Sequence, residues 1–479
     1  MKRRTIFWSR AFALLALCCF LVLQRVYHEP LLTSFVAIQD TLRTSSHIPA
    51  APSILSSQTS TLSHSFTTPP PTHLNDPGVL PEPTESGQSV TGLESQTYLS
   101  YQDCSNKQWN NGFVENGHTI VQHVMNPSND SSHDSHLNCP AVKLDRYSLL
   151  TRSGAASAKI KYFFALDLFQ SIQILEQLLN SIVEAMRVLG PENCALSIVE
   201  GRSTDGTYET LKTLQTEMAK LGFRCHLQCV DIDPTSPGGD RILSLALLRN
   251  HALQPLVSNP KVYDSESRIV FINDVALCAE DILELIYQGI VLDADMTCAM
   301  DWIRDSFYDV WIGRTMVGDL FFEIPQSQSW EFAQNLFWNH EPSRAKYLEG
   351  RPFQVFSCWN GAVSMVAKPF LEGKIKFRSS LEGECRLGEP VHLSKDLWSL
   401  GHGKIAVVPS VNVAYDLDTT VRVKERHGTV TAWVEKEEAE ADKINWIKRP
   451  PPQIKCFVDW SHPSWEPWDQ GLEHYVLSD

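Results

Sequence analysis

The chain has no excess of positive charge: 41 Lys+Arg stand against 56 Asp+Glu, a net charge of -15 over 479 residues. No long basic stripe offsets that balance, which argues against nucleic acid as a partner, because a phosphate backbone would be repelled. Neither G-x-G-x-x-G nor G-x-x-x-x-G-K-[ST] occurs, so a Rossmann dehydrogenase and a P-loop enzyme are both disfavoured. Cys225 and Cys229 have no second cysteine or histidine pair at zinc-finger spacing. They read as structural thiols or disulfide partners rather than as a zinc site. With 43% hydrophobic and 20% charged residues, the chain is nevertheless ordinary for a globular protein that buries a large core.

What is present begins with Lys2, Arg3 and Arg4 ahead of an apolar run from Ala11 to Leu23. The residues after it, Gln24 to His28, are not the small ones a signal-peptide cleavage site needs, so an uncleaved anchor is expected over residues 1–27. The run is shorter than the roughly 20 residues of a comfortable span, which requires Arg10 to snorkel or the bilayer to be thin. Positive charge on the N-terminal flank keeps that end cytoplasmic and predicts a single-pass type II protein with its bulk in the lumen. Residues 28–100 are rich in Ser, Thr and Pro, with SFTTPPP over 65–71, and are expected to form an extended stem. Residues 101–155 read as an irregular lead-in tied by disulfides, and 431–479 as a C-terminal tail. Of 12 cysteines, Cys18 and Cys19 lie in the apolar run, leaving 10 on the expected lumenal side. That even number suits an oxidising compartment, as does the glycosylation sequon at Asn129, Asp130 and Ser131.

From Lys161 apolar runs alternate with amphipathic segments, the signature of βα units and a largely parallel sheet. Strands are expected at Tyr162–Leu168, Ala195–Val199, Arg224–Val230, Ile269–Ile272 and Met296–Met300. Helices are expected between them, the first carrying Ile172, Leu175, Leu179, Ile182, Met186 and Leu189 until Gly190 and Pro191 stop it. The later part, including Val355–Val366 and Ile405–Val413, looks more β-like. Residues 156–430 are therefore read as a catalytic domain, with an α/β half for a nucleotide and a mixed half for an acceptor.

Two loops carry the chemistry. Glu200-Gly201-Arg202-Ser203-Thr204-Asp205-Gly206-Thr207 joins the second strand to a helix, at the strand end where ligands bind in open α/β sheets. Glu200 there could accept hydrogen bonds from a base or ribose, while Asp205 and Thr207 fix the turn. A helix cap alone would favour the same residue types. Phe271-Ile272-Asn273-Asp274-Val275 ends a hydrophobic strand in a polar pair, where a carboxylate could hold a divalent metal across a diphosphate. Asp274 is the expected metal ligand, with Mn²⁺ or Mg²⁺ as the ion. The literal Asp293-Ala294-Asp295 precedes a strand and ranks second, as a solvated loop. Asp301, at the end of the strand through Cys298, is a further candidate facing the site.

Five segments in one order sharpen this reading: Ser197 to Thr207, Leu248-Arg249-Asn250, Phe271 to Val275, Cys298-Ala299-Met300-Asp301, and Ser357-Cys358-Trp359-Asn360-Gly361. Together they resemble the fungal cryptococcal-capsule-associated α-1,3-mannosyltransferase family over about Lys161 to Tyr415. The resemblance implies a GT-A-like fold with a Rossmann-type half. It also implies GDP-mannose as donor, an α-mannoside glycan as acceptor, and α-1,3 linkage with retention; with the anchor, the expected location is the Golgi membrane. Carried onto this chain, Glu200, Ser203 and Asp205 would meet the nucleotide, Arg249 the phosphates or a site carboxylate, and Asp274 the metal. Trp359 and Asn360 would line the sugar pocket, although Trp359 also suits a core position. Asp301, Glu384 and Asp396 are the catalytic carboxylates it suggests, with a salt-bridged structural role the alternative for the last two. The family's Arg-Asp after Tyr-Asp-x-Trp is here Arg314-Thr315, after Tyr308-Asp309-Val310-Trp311. Its Ser-Glu-Cys is here Gly383-Glu384-Cys385. A transferase using another sugar, a lectin-like Golgi protein and a glycosidase stay open as alternatives.

Overall fold

A computed structural model describes residues 104, 107–126, 137–151, 159–325, 330–435, 443–458 and 462–472. Every described residue belongs to one compact unit. The expected anchor, the stem, Cys18, Cys19 and the sequon at Asn129 lie outside the described residues. Among the described residues no helix is long and apolar enough to cross a membrane.

The principal elements are α1 (Asn111–Met125), β1 (Ile160–Leu168), α2 (Ile172–Leu189), β2 (Cys194–Glu200), α3 (Thr207–Lys220), β3 (Arg224–Cys229), α4 (Arg241–Ser258), β4 (Tyr263–Ile272) and α5 (Ala279–Val291). They continue with β5 (Met296–Ile303), β6 (Ser306–Phe307), β7 (Phe353–Gln354), β8 (Ala362–Val366), α6 (Glu389–Ser399), β9 (Ile405–Ala414), and the hairpin β10 (Gln453–Cys456) and β11 (Ser464–Pro467). The fold is mixed α/β, with a nine-stranded sheet in the order β3-β2-β1-β4-β8-β5-β9-β7 and β6 attached to β5. Neighbours among β3, β2, β1 and β4 are parallel, and so are β5 and β9, whereas β8 runs antiparallel between β4 and β5.

Both faces of the sheet are covered, which is why its strands read as continuous apolar runs rather than alternating ones. On β1, Phe163 and Ala165 pack with Leu248, Ala252 and Leu253 of α4 on one side. Tyr162, Phe164 and Leu166 pack with Leu175, Leu179 and Ile182 of α2 and with Ile282, Leu283 and Ile286 of α5 on the other. The period of two along the strand thus feeds two separate cores.

These elements refine four expectations. Within the lead-in of residues 101–155, α1 is regular rather than irregular and buries Ile120, Val121 and Val124 against α2 and α3. Val355–Val366, expected to be more β-like, holds the strand Ala362–Val366 and an isolated bridge from Ser357 to Arg314. Asp301 lies inside β5 rather than at its end. Within the expected C-terminal tail, β10 and β11 pair, the Lys455 amide donates to the Gly318 carbonyl at 2.8 Å, and Cys456 is bonded to Cys385. Further disulfides join Cys104 to Cys229, Cys139 to Cys278 and Cys298 to Cys358, leaving Cys194 and Cys225 as the free thiols among the described residues. The lead-in is therefore tied by disulfides, as expected, and Cys229 is no metal ligand.

Candidate active site

The carboxyl ends of β1, β4 and β5 gather most of the unusual electrostatics. Asp167 is the penultimate residue of β1, and Leu166 pairs with Ile272, so the next step along both strands places Asp167 beside Asn273. Asp274 follows directly. Arg249 rises from the middle of α4 into this corner, where its Nε donates to Glu389 at 2.8 Å and a terminal nitrogen donates to Asn273 Oδ1 at 3.3 Å. The guanidinium lies 4.2 Å from the Trp359 ring centroid, a stacking that a flexible ammonium would not hold as well. Asp309, on the loop after β6, accepts the backbone N–H of Asn360 at 2.8 Å. Tyr415, just past β9, donates its hydroxyl to Asp301 Oδ2 at 2.9 Å, while Asp301 Oδ1 is buried without a partner.

Crowding of acids in a poorly hydrated corner disfavours their ionised forms. Burial, reinforced by the charge of Asp167, pushes the Asp274 carboxyl up to about 7. Burial also raises Asp167 to about 6, against the opposing pull of Arg249, and Asp309 to about 6. Asp301 is held well above the usual carboxylate range by burial and by Asp309, and the Tyr415 phenol is raised by burial and by Asp301. Asp167, Asp274 and Asp309 are half-buried, whereas Asp301, Arg249 and Glu389 are buried. Perturbed groups that converge at strand ends are where chemistry is expected.

The chain turns sharply into this site at Asn360 and Gly361, both with positive φ, of 57° and 79°. A Cβ on Gly361 would sit 3.1 Å from Cβ of Asp301 and 3.0 Å from Val413. The backbone therefore approaches β5 as only glycine allows.

The loop after β2 forms a second group of predicted residues. Glu200 is fully buried. Its carboxylate accepts the Ser203 amide at 2.7 Å and pairs with the Lys107 ammonium. Asp205 accepts the amides of Ile172 at 3.0 Å and Thr207 at 3.1 Å, so one side chain serves the first turns of α2 and α3 together. Ser203 Oγ accepts the Gln170 amide at 3.0 Å. These contacts hold the loop in shape, and the helix-capping alternative is realised for Asp205.

Several assignments change. Trp359, only 2% exposed, packs on Phe271 and Phe377 and offers no face to a sugar. Asn360 is also buried, and its amide donates to the Ala299 carbonyl at 2.8 Å, so it positions Asp309 instead of lining a pocket. Glu384 and Asp396 are taken up by one guanidinium: Arg378 donates to Glu384 at 2.7 Å and to Asp396 at 2.9 and 2.7 Å. Lys395 also pairs with Glu384. The two acids are a structural ion-pair network, and no catalytic role is kept for them. Asp293 pairs with Lys404, and Asp295 accepts from His402 and the Lys404 amide, as befits a loop before β5. Sequence reasoning missed Asp167, Asp309, Glu389 and Tyr415. Asp309 had a signal in its Tyr-Asp-x-Trp setting; Asp167 sat hidden inside an apolar strand.

An α/β sheet with an arginine-centred cluster of acids at the carboxyl ends of its strands has the layout of an enzyme acting on a polar ligand. Residues 161–396 match the family described as Cryptococcal mannosyltransferase 1. The chain is also 36% identical over 330 residues to the alpha-1,3-mannosyltransferase CMT1 of Cryptococcus neoformans var. neoformans serotype D, covering 65% of this chain and 70% of that protein. The chain belongs to this mannosyltransferase family and is a glycosyltransferase. Among solved structures, Staphylococcus aureus TarS 1-349 aligns at 14% identity and TM-score 0.31, covering 59% of this chain and 67% of that one. The mannosyltransferase PcManGT from Pyrobaculum calidifontis, in complex with GDP-Man and Mn²⁺, aligns at 12% identity and TM-score 0.31, covering 63% and 68%.

Proposed function

We propose that this chain transfers mannose from GDP-mannose to the 3-hydroxyl of an α-mannoside glycan, with retention of configuration, on a GT-A-like fold. We further propose that it works as a type II protein with its catalytic unit in the Golgi lumen. Family membership and the name of the relative from Cryptococcus neoformans support the sugar and the linkage. The observation that carries the reaction is the gathering of the half-buried Asp167, Asp274 and Asp309 around Arg249.

Hard oxygen donors with unspent negative charge suit Mn²⁺ or Mg²⁺. Among the described residues no group of three or more His, Cys, Asp or Glu side chains is arranged to hold a metal ion. Asp274, with Asp167 beside it, would contact such an ion, and diphosphate oxygens and water would supply the rest of its shell, as is common for small divalent cations. A bound ion supplies counter-charge for the departing diphosphate. The chain's own residues orient the pieces: Arg249 fixes Asn273 and Glu389, the Asn360 amide holds Asp309, and Tyr415 holds Asp301. Asp309 is the half-buried base candidate nearest the buried Asp301 and Tyr415 pair.

Incubating the protein with several nucleotide sugars and Mn²⁺, scored for nucleotide release and for transfer to α-mannobiose, tests the proposal. Transfer from GDP-mannose alone supports it, whereas transfer from another donor, or binding without turnover, removes it.

A further inference from the structure

The carboxylate of Glu200 is fully buried at the carboxyl end of β2, and its one cationic partner among the described residues is Lys107. Lys107 lies outside residues 161–396, the part matched by the family. A covalent tether brings it there, because Cys104 is bonded to Cys229, the last residue of β3, and the Lys107 amide donates to the Cys104 carbonyl at 3.1 Å. The surrounding contacts are dense. Tyr208 donates its hydroxyl to the Cys104 carbonyl at 3.4 Å, and the Lys107 ammonium sits 4.6 Å from the centroid of the Tyr208 ring. The Asn110 amide donates to Glu209 at 2.9 Å. Phe113 lies against Gly206, where a Cβ would meet its ring at 3.2 Å.

Glu200 in turn shapes the loop before α3, since its other oxygen accepts the Ser203 amide at 2.7 Å and Ser203 Oγ accepts from Gln170. Removing the ammonium would leave a dry, uncompensated carboxylate, which would pull the loop out of shape. We infer that Lys107, held by the Cys104–Cys229 disulfide, is a positioning residue that sets the conformation of the 200–207 loop for the donor nucleotide. The inference rests on the donor-binding reading of that loop. A segment ahead of the catalytic domain thereby completes a site within it.

The test compares the full-length wild type, Lys107→Met, Glu200→Gln and the double variant, with GDP-mannose titrations in the presence of Mn²⁺. Lys107→Met should raise the donor KM about tenfold and leave kcat within about twofold. The double variant should recover most of that loss, because Gln can still accept the Ser203 amide without carrying a charge. Lys107→Arg should stay near wild type. Hydrogen exchange at the Ser203 and Thr204 amides provides a readout independent of the donor, and it should quicken in Lys107→Met and return toward wild type in the double variant. Cys104→Ala should move both readouts in the same direction as Lys107→Met. If the double variant is no better than Lys107→Met, or if folded Lys107→Met exchanges and binds as wild type does, the inference fails. Should the wild type ignore GDP-mannose while the exchange pattern holds, the donor assignment falls and the positioning role stands.

Discussion

The indole N–H of Trp359 donates to Oδ1 of Asn273 at 2.9 Å, so a buried ring and a strand-end amide fix each other. The same oxygen accepts from Arg249, which makes Asn273 a hinge between the aromatic core and the acidic corner. An amide at this position holds two donors without adding a further negative charge beside Asp274. Trp359→Phe should keep the packing with Phe271 and Phe377 but lose the N–H. The expected cost is about 1 kcal/mol in stability, with a clear drop in kcat as Asn273 and Arg249 lose register. Chemical denaturation and steady-state rates on one preparation check both; a folded variant with unchanged rate would detach Trp359 from the site.

Asp274 is the most direct test of the proposed chemistry. Asp274→Asn keeps the shape and removes the charge, and loss of one such electrostatic contact typically costs about 10²-fold to 10³-fold in rate. The variant should also lose saturable activation by Mn²⁺. Near-normal transfer with wild-type metal dependence would move the metal site elsewhere.

The same residue gives a pH signature. Its carboxyl goes from 3.8 to about 7 on folding, so between those values the folded state binds more protons than the unfolded one. Stability then falls as pH rises through that window and levels off above about 7. Asp167 and Asp309, raised to about 6, act in the same sense over a narrower range. A divalent cation competes with those protons. Mn²⁺ should therefore raise Tm more at pH 7.5 than at pH 5, and Asp274→Asn should flatten the difference. Thermal melts across pH with and without metal measure this, and an equal Mn²⁺ effect at both pH values would contradict it.

Arg378 makes the opposite kind of prediction. Arg378→Met strands Glu384 and Asp396 in the interior, and breaking a buried ionic network in this way costs about 3–5 kcal/mol. Turnover per folded molecule should change little, since neither acid touches the Arg249 corner. Denaturation midpoints together with active-site-normalised rates decide it; a stable but inactive variant would return these acids to catalysis.

For Asp205→Ala, the structure adds a stability cost to the expected loss of donor binding. The substitution removes the acceptor for the first turns of α2 and α3, and a lost cap costs about 0.5–2 kcal/mol. Donor KM should rise more than acceptor KM. Equal changes in both would leave Asp205 a purely structural residue.

The alternation of apolar runs and amphipathic segments was enough to place β1 to β5 and the helices between them, because strand and helix periods are local properties of the chain. Leu189 followed by Gly190 and Pro191, for instance, ends α2 where the sequence says it should. The Asn273 and Asp274 pair was legible for the same reason, as polar residues closing an apolar strand. Long-range pairing was not. Arg249 meets Glu389, Lys107 meets Glu200, and Cys104 meets Cys229 across separations that no local pattern records. Glu384 and Asp396 had the residue type of catalytic acids, and only the arrival of Arg378 between them settled that they are structural. Trp359 likewise became a core residue because Phe271, Phe377 and Arg249 close around it. Sequence thus determined which segments become strands and which loops end them. Tertiary structure decided which charges are neutralised, because a carboxylate's role depends on what else is brought into its low-dielectric surroundings.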